Sequence, residues 1–189
     1  LRVGATLAHH EITTRRGGYF DMTSRNEADY SANSLQVYGE LGYKFAANTV
    51  VIEPFVNTAY THLRTSGFEE DGDASVVSGK RRSANVVSNT LGARVSNTIE
   101  NRFGTAFTLS GMLGWNYNFG DIDPIASVKY QGGKAFDVKG TPISRSAFVT
   151  ELGVQAAFKK NLSAGLYYDG RFGKKVSDHA LSLDIRYTF

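Results

Sequence analysis

Leu181-Ser-Leu-Asp-Ile-Arg-Tyr-Thr-Phe189 alternates apolar and polar residues without a break and stops on an aromatic side chain. Successive side chains of a β-strand point to opposite faces. Leu181, Leu183, Ile185, Tyr187 and Phe189 therefore make one apolar face, and Ser182, Asp184, Arg186 and Thr188 a polar one. A soluble sheet can alternate in the same way. A chain only 41% hydrophobic that keeps the alternation up to a Tyr-x-Phe terminus points instead to strands whose apolar face meets lipid.

Working back from that stretch, the period of two recurs in eight segments, roughly 1 to 14, 31 to 45, 49 to 64, 84 to 97, 102 to 118, 145 to 159, 162 to 173 and 178 to 189. In the second, Leu35, Val37, Leu41, Tyr43 and Phe45 share one face, against Gln36, Tyr38, Glu40 and Lys44. In the fifth, Phe103, Phe107, Leu109, Leu113, Trp115 and Tyr117 face away from Thr108, Ser110 and Asn116. Faces so rich in aromatic residues suit a membrane barrel with an aromatic belt at each rim. Trp115, Tyr117 and Phe119 are expected at one rim, and Phe45, Phe103, Phe158 and Phe189 at the other.

The connectors sort by length. Short ones are expected at 46–48, 97–101 and 159–161, long ones at 15–30, 66–83 and 120–144. Tight turns on one side and loops on the other are the asymmetry of outer-membrane barrels, whose periplasmic turns are short and extracellular loops long. The reading is a single all-β domain over 1–189, an antiparallel up-and-down transmembrane β-barrel with about eight strands in view.

Composition agrees. No run of about 18 apolar residues exists, mean hydropathy is -0.27, and barrel strands need only about ten alternating residues each, so the chain is not a helical membrane protein. Twenty glycines, ten tyrosines and twelve phenylalanines against three prolines suit many twisted strands. The absence of cysteine is compatible with passage through an oxidising periplasm. A net charge of +3 with scattered basic residues argues against a nucleic-acid partner. Leu1 falls inside a strand-like pattern, so a processed fragment or the ordered part of something longer is expected.

Lipid would not accept Arg2, Glu40, Lys44, Glu53, Arg94, Glu151, Asp169, Arg171, Asp184 or Arg186. They belong in the lumen, and Glu53, Arg94, Glu151, Asp169 and Arg186 are its expected lining, mixed in sign and mutually neutralising. Arg or Lys on the lipid face near the midplane costs about 2 to 4 kcal/mol, which sets the register. Motifs of catalysis are missing: no G-x-S-x-G, P-loop or G-x-G-x-x-G occurs. His9, His10, His62 and His179 lack metal-site spacing, and neither metal nor cofactor is expected. A triad of Asp169, His179 and Ser177 or Ser182, as in an outer-membrane hydrolase, would lack the strained turn that exposes the serine. The acidic run Glu69-Glu70-Asp71-Gly72-Asp73 reads as a solvated loop paired with Lys80-Arg-Arg82.

Several stretches in fixed order resemble one family. These are His10-Glu-Ile-Thr-Thr-Arg15, Glu53-Pro-Phe55 with Ala59-Tyr60, Gly67-Phe-Glu-Glu70, Leu91-Gly-Ala-Arg94, and Leu113-Gly-Trp115 with Phe119-Gly120. Further along come Gly140-Thr-Pro-Ile143 with Arg145, Tyr168-Asp-Gly170 with Phe172-Gly173, and Asp178-His179 leading into Arg186-Tyr-Thr-Phe189. Through nearly its whole length the chain resembles the C-terminal translocator domain of classical, monomeric autotransporters, the type V secretion proteins of Gram-negative bacteria. The resemblance implies a twelve-stranded barrel of which these are the last eight strands. The first strands, a pore helix and a cell-surface passenger then lie outside the chain. It implies outer-membrane lipid, the outer-membrane barrel assembly machinery and the chain's own passenger as partners, and a monomer. It also implies that Leu183, Ile185, Tyr187 and Phe189 are the signal that the assembly machinery reads. An eight-stranded fragment would leave two bare edges, costly in hydrocarbon. Hence the alternatives of pairing with another barrel, or of a small closed eight-stranded barrel acting as an adhesin-like or structural protein, also stand.

Overall fold

The computed structural model describes residues 1–17, 25–72, 76–102, 104–158, 161–174 and 176–188. Phe103, Phe189 and Asp73, all singled out above, lie outside the described residues. The strands are β1 (Arg2–Gly17), β2 (Arg25–Gly42), β3 (Phe45–Ala47), β4 (Val50–Thr65), β5 (Phe68–Glu69), β6 (Val77–Gly79), β7 (Arg82–Glu100), β8 (Thr105–Gly120), β9 (Ile125–Tyr130), β10 (Ala135–Lys139), β11 (Ser146–Phe158), β12 (Leu162–Gly173) and β13 (Val176–Tyr187).

Eight long strands pair antiparallel in the order β1-β2-β4-β7-β8-β11-β12-β13, an up-and-down meander curled into part of a barrel. They match the eight alternating segments. β3 is a continuation of β2: the pairs Gly42↔Phe55 and Phe45↔Ile52 share one register. The gap between them falls opposite Pro54. Tyr43 donates its N–H to the Pro54 carbonyl at 3.1 Å, but proline has no N–H to return, so the ladder is interrupted there. The turn that follows uses Asn48 at φ 55, a residue type that tolerates the left-handed region.

Two expectations about connectors need correction. β1 runs to Gly17 and β2 starts at Arg25, so most of the stretch read as a 15–30 loop continues the hairpin. The β12–β13 connection, on the loop side, spans only 174–175. The polar residues there hid the pairing, because strands that leave the membrane no longer need an apolar face.

The two long connectors are also structured. Their strands form a second, four-stranded sheet in the order β10-β9-β6-β5 on the loop side. It is anchored to the meander by the Glu27↔Asp71 bridge, with N–H to carbonyl distances of 2.9 and 2.8 Å, and by Tyr30 stacked on Phe68 at 5.2 Å.

Among the described residues β1 and β13 are the edges of the meander and do not pair with each other. This overturns the small closed eight-stranded barrel. The surface tells the same story from another side. The chain exposes 13545 Å², whereas a soluble monomer of 20.6 kDa exposes about 8,900 Å². Much of it is apolar side chains on one face: Leu7, Leu41, Leu91, Leu113, Phe148, Leu152, Leu181 and Leu183 are all more than half exposed, and the open sheet exposes polar-face residues of its edge strands as well. From Phe107 to Tyr117 the apolar face of β8 rises about 34 Å along the strand, which a tilt of about 40° reduces to about 26 Å, the height of a barrel's lipid band.

Candidate functional site: the charged cluster of the polar face

The other face carries the charges, and β1, β2, β4 and β7 bring four of them together. Register places Arg2 opposite Glu40 and Glu53 opposite Arg94. The strongest contact skips a strand: Arg94 reaches over β4 and forks onto Glu40, Nη1 to Oε1 at 2.8 Å and Nη2 to Oε2 at 2.9 Å. Arg2 donates to the same carboxylate and reaches Glu53 Oε1 at 3.1 Å. Glu40 and Glu53 are only 7% and 9% exposed, so these two carboxylates depend on the guanidinium groups for their solvation.

The cluster is packed as well as paired. The Arg94 guanidinium lies 3.7 Å from the centroid of the Phe55 ring, which is buried on the same face. Phe55 fits because residue 92 is glycine: a Cβ there would sit 2.9 Å from the ring and 2.7 Å from the Leu113 carbonyl. Beside the cluster a cleft of about 290 Å³ is lined by Lys44, Glu53, Arg94, Met112 and Glu151.

Of the five expected lining residues, Glu53 and Arg94 belong to the cluster. Glu151 lines the adjoining cleft and sits opposite Asp169 on β12, like charges side by side. Arg186 is apart, opposite Ser163 near the end of β13, with no ion pair among the described residues. Glu40 and Arg2 were legible only as members of the wider set of polar-face charges, yet Glu40 is the hub. Phe55 was missed; the available signal was an aromatic residue two positions from Glu53, on the polar side of β4.

Toward the loop end the polar face closes on a buried asparagine ladder. Asn118 donates to Asn116 Oδ1 at 2.9 Å and to the Ser144 carbonyl at 2.7 Å, while Asn116 donates to Ser88 and Thr90 at 2.8 and 2.9 Å. The acidic run pairs differently from the expectation. Glu70 accepts from Arg16, Nη2 to Oε2 at 2.7 Å, and from the Val77 N–H at 2.9 Å, instead of meeting Lys80-Arg-Arg82. Those contacts, Arg16 first, hold its carboxyl below the ordinary value of 4.5 against the opposing pull of burial.

On the apolar face Trp115, Tyr117 and Phe119 form a continuous aromatic run, with centroids 5.8 and 4.7 Å apart. The Trp115 indole N–H donates to Ser146 Oγ at 2.7 Å. Leu183, Ile185 and Tyr187 project from the same face of β13, all more than 60% exposed. The hydrolase triad does not assemble. Asp169 pairs in register with Ala180, on the face opposite His179, while His179 Nδ1 meets the Tyr168 hydroxyl at 2.7 Å on the apolar face. His9 and His62 each meet an asparagine on the neighbouring strand, at 2.7 and 2.8 Å.

Comparison with known proteins adds two findings. The family profile of the autotransporter beta-domain matches residues 1–169. Two Serratia marcescens proteins, each described as an extracellular serine protease, are 31% identical over 191 residues, covering 100% of this chain and 18% of their own length. The chain therefore spans less than a fifth of the curated relatives it matches.

Proposed function

Because the chain belongs to the autotransporter β-domain family, β-barrels of the outer membrane of Gram-negative bacteria, we propose that residues 1–189 are the greater part of a translocator domain. It anchors the polypeptide in the outer membrane and supports export of its own N-terminal passenger to the cell surface by type V secretion. The remaining barrel strands, the pore helix and the passenger are then supplied by the rest of the polypeptide, with strands added at the β1 and β13 edges. The observation that carries this reading is the open eight-stranded meander with an apolar outer face and a charged, internally paired polar face. A sheet so divided is stable only where one face meets hydrocarbon and the other a polar conduit.

In this reading the cluster of Arg2, Glu40, Glu53 and Arg94, with Glu151, Asp169 and Arg186, lines the conduit. Trp115, Tyr117 and Phe119 hold the rim at the bilayer interface. Leu183, Ile185, Tyr187 and Phe189 are read by the barrel assembly machinery, since an unfolded terminal strand can pair through its main chain while alternate side chains set register. The domain does no chemistry of its own; a proteolytic activity, named for the Serratia relatives, would reside in a passenger.

The test is surface display of an epitope placed in the passenger of the full-length protein, on intact cells. Display is expected to vanish when residues 1–189 are deleted and to fall sharply when Tyr187 and Phe189 are both replaced by serine. Undiminished display after the deletion would refute the translocator role, and unchanged membrane assembly of the serine variant would refute the signal.

A further inference from the structure

The loop-side sheet is an upper storey of the barrel wall. Its order follows that of the strands beneath, for β5 continues β4, β6 leads into β7, β9 follows β8 and β10 precedes β11. It joins β2 in the plane of the sheet through the Glu27↔Asp71 bridge. The Ser66 N–H still bonds the Ser31 carbonyl at 2.9 Å, so the chain from 66 to 71 has one residue more than β2 from 31 to 27. This bulge exchanges the faces. Odd positions such as Glu53 and Phe55 look to the polar side of β4, whereas even positions, Phe68 and Glu70, look that way from β5. Tyr30, on the same side of β2 as Glu40, stacks on Phe68, and Arg16, on the same side of β1 as Arg2, reaches Glu70 across β2.

Register carries that conduit side across the upper storey. Phe68, Gly79, Val128 and Phe136 stand in one row, flanked by Val77 and Tyr130 on one side and by Ala126 and Val138 on the other. The Phe68 ring covers Gly79, where a Cβ would collide with it, and Tyr130 stacks on Phe136 at 5.7 Å. The opposite face is mainly polar, with Glu69, Lys129, Asp137 and Lys139. The polarity of the membrane strands is thus reversed: below the rim the conduit side is polar and the outside apolar, and above it the conduit side is apolar. Water around the upper storey accounts for its charged outer face. It does not account for the inner one, where Tyr130, Phe136 and Val138 stay 45%, 43% and 45% exposed.

We propose that this apolar face is a docking surface for the exported polypeptide, and that its resident occupant is the stretch joining the pore segment to the passenger. The face is continuous with the conduit lining through Tyr30 and Arg16, so a chain that leaves the conduit passes over it. A second barrel cannot reach it, because the wall stands between, and a lipid cannot, because the face lies above the rim and on the inner side. From Tyr30 to Phe136 the row crosses four strand spacings, about 19 Å, the length of about six extended residues. The occupant is therefore one extended stretch that lays alternate apolar side chains on the aromatic row. The Serratia relatives extend far beyond the matched 18% of their length, which leaves ample chain for it. The inference rests on the translocator reading, since only export brings a polypeptide to this mouth.

The experiment uses the full-length protein in intact cells, with the photo-crosslinking amino acid p-benzoylphenylalanine at position 130, 136 or 137, and maps the captured peptides by mass spectrometry. Probes at 130 and 136, on the conduit side, are expected to capture the stretch between passenger and pore segment. The probe at 137, on the outer side of the same strand as 136, is not. In a Phe136→Ser/Val138→Ser background, capture from position 130 should fall about fivefold through the loss of two half-exposed apolar contacts. Equal capture from 136 and 137, capture of another barrel loop or a second protein in place of that stretch, or undiminished capture in the double variant would each overturn the proposal. Heat-dependent gel mobility establishes that each barrel is folded. Should the serine variant fail to assemble, the comparison of 136 with 137 decides, since the probe at 136 keeps an aromatic ring. Passenger display on the same cells separates the two readings: normal display without capture at 130 and 136 refutes the docking surface alone, while absent display in wild type refutes the translocator.

Discussion

Replacing Arg94 by alanine tests whether the polar-face cluster holds the sheet together. The substitution removes both hydrogen bonds to Glu40, at 2.8 and 2.9 Å, and the cation stacked on Phe55. Glu40, 7% exposed, is left with Arg2, whose side chain is 48% exposed, and with Asn57 Nδ2 at 3.5 Å. Breaking a fully buried pair costs about 3 to 5 kcal/mol and losing an exposed one about 0 to 1. This pair lies between, since Arg94 is 30% exposed and Glu40 keeps one partner, so a loss of about 2 kcal/mol is expected, about 30-fold in the folding equilibrium. Arg94→Lys should recover part of it, because an ammonium cannot fork onto the carboxylate. The assay is a urea titration of the full-length protein in lipid vesicles, read by gel mobility, on Arg94→Ala, Glu40→Gln and the double variant. The reasoning fails if Arg94→Ala costs under about 0.5 kcal/mol, or if the double variant loses the sum of the two single losses, since partners in one network must couple.

Three further outcomes follow from the same geometry. Gly92→Ala should destabilise the barrel by about 1 to 3 kcal/mol, because its Cβ meets the Leu113 carbonyl and the Phe55 ring; the smaller Phe55→Leu should relieve part of the cost in the same titration. Leu113→Arg, on the lipid face near the midplane, should cost about 2 to 4 kcal/mol, whereas Ser110→Arg on the polar face of the same strand should cost little; equal effects would mean the faces are assigned wrongly. Because the Glu70 carboxyl is held below 4.5 in the folded protein, its tie to Arg16 and Val77 contributes fully above that pH and is lost as pH falls below it. Amide protection of residues 68–71 and 77–79 should therefore drop in acid and be reduced at neutral pH by Glu70→Gln; a variant as protected as wild type would refute the tie.

The long strands were legible because a sheet that separates lipid from a polar conduit must alternate at every residue, and that demand is local. The ends of β1 and β2 were not legible. Beyond the membrane the described ends of β1 and β2, from Thr13↔Asp29 to Gly17↔Arg25, pair through their backbone with mostly polar side chains, as in Thr13 with Asp29 at 2.6 Å, and the apolar alternation disappears. The loop-side sheet was hidden for a related reason. β5, β6, β9 and β10 are two to six residues long, and although β5–β6 and β9–β10 are each paired within one connector, the β6–β9 pairing that makes them one sheet joins two connectors separated by β7 and β8. The expected partner of the acidic run, Lys80-Arg-Arg82, was the nearest basic stretch in sequence. The actual partner of Glu70, Arg16, is brought there by the Glu27↔Asp71 bridge.

The amino-acid sequence by itself determined which residues face lipid and which face the polar side, since in an extended chain that choice depends only on parity and on the cost of putting charge into hydrocarbon. It did not determine which charges meet. Arg2, Glu40, Glu53 and Arg94 span four strands, and the fork of Arg94 onto Glu40 passes over a strand that lies between them in the sheet. That contact exists because strand order, register and the small volume of Gly92 under Phe55 combine, and these are properties of the folded sheet and not of any one strand.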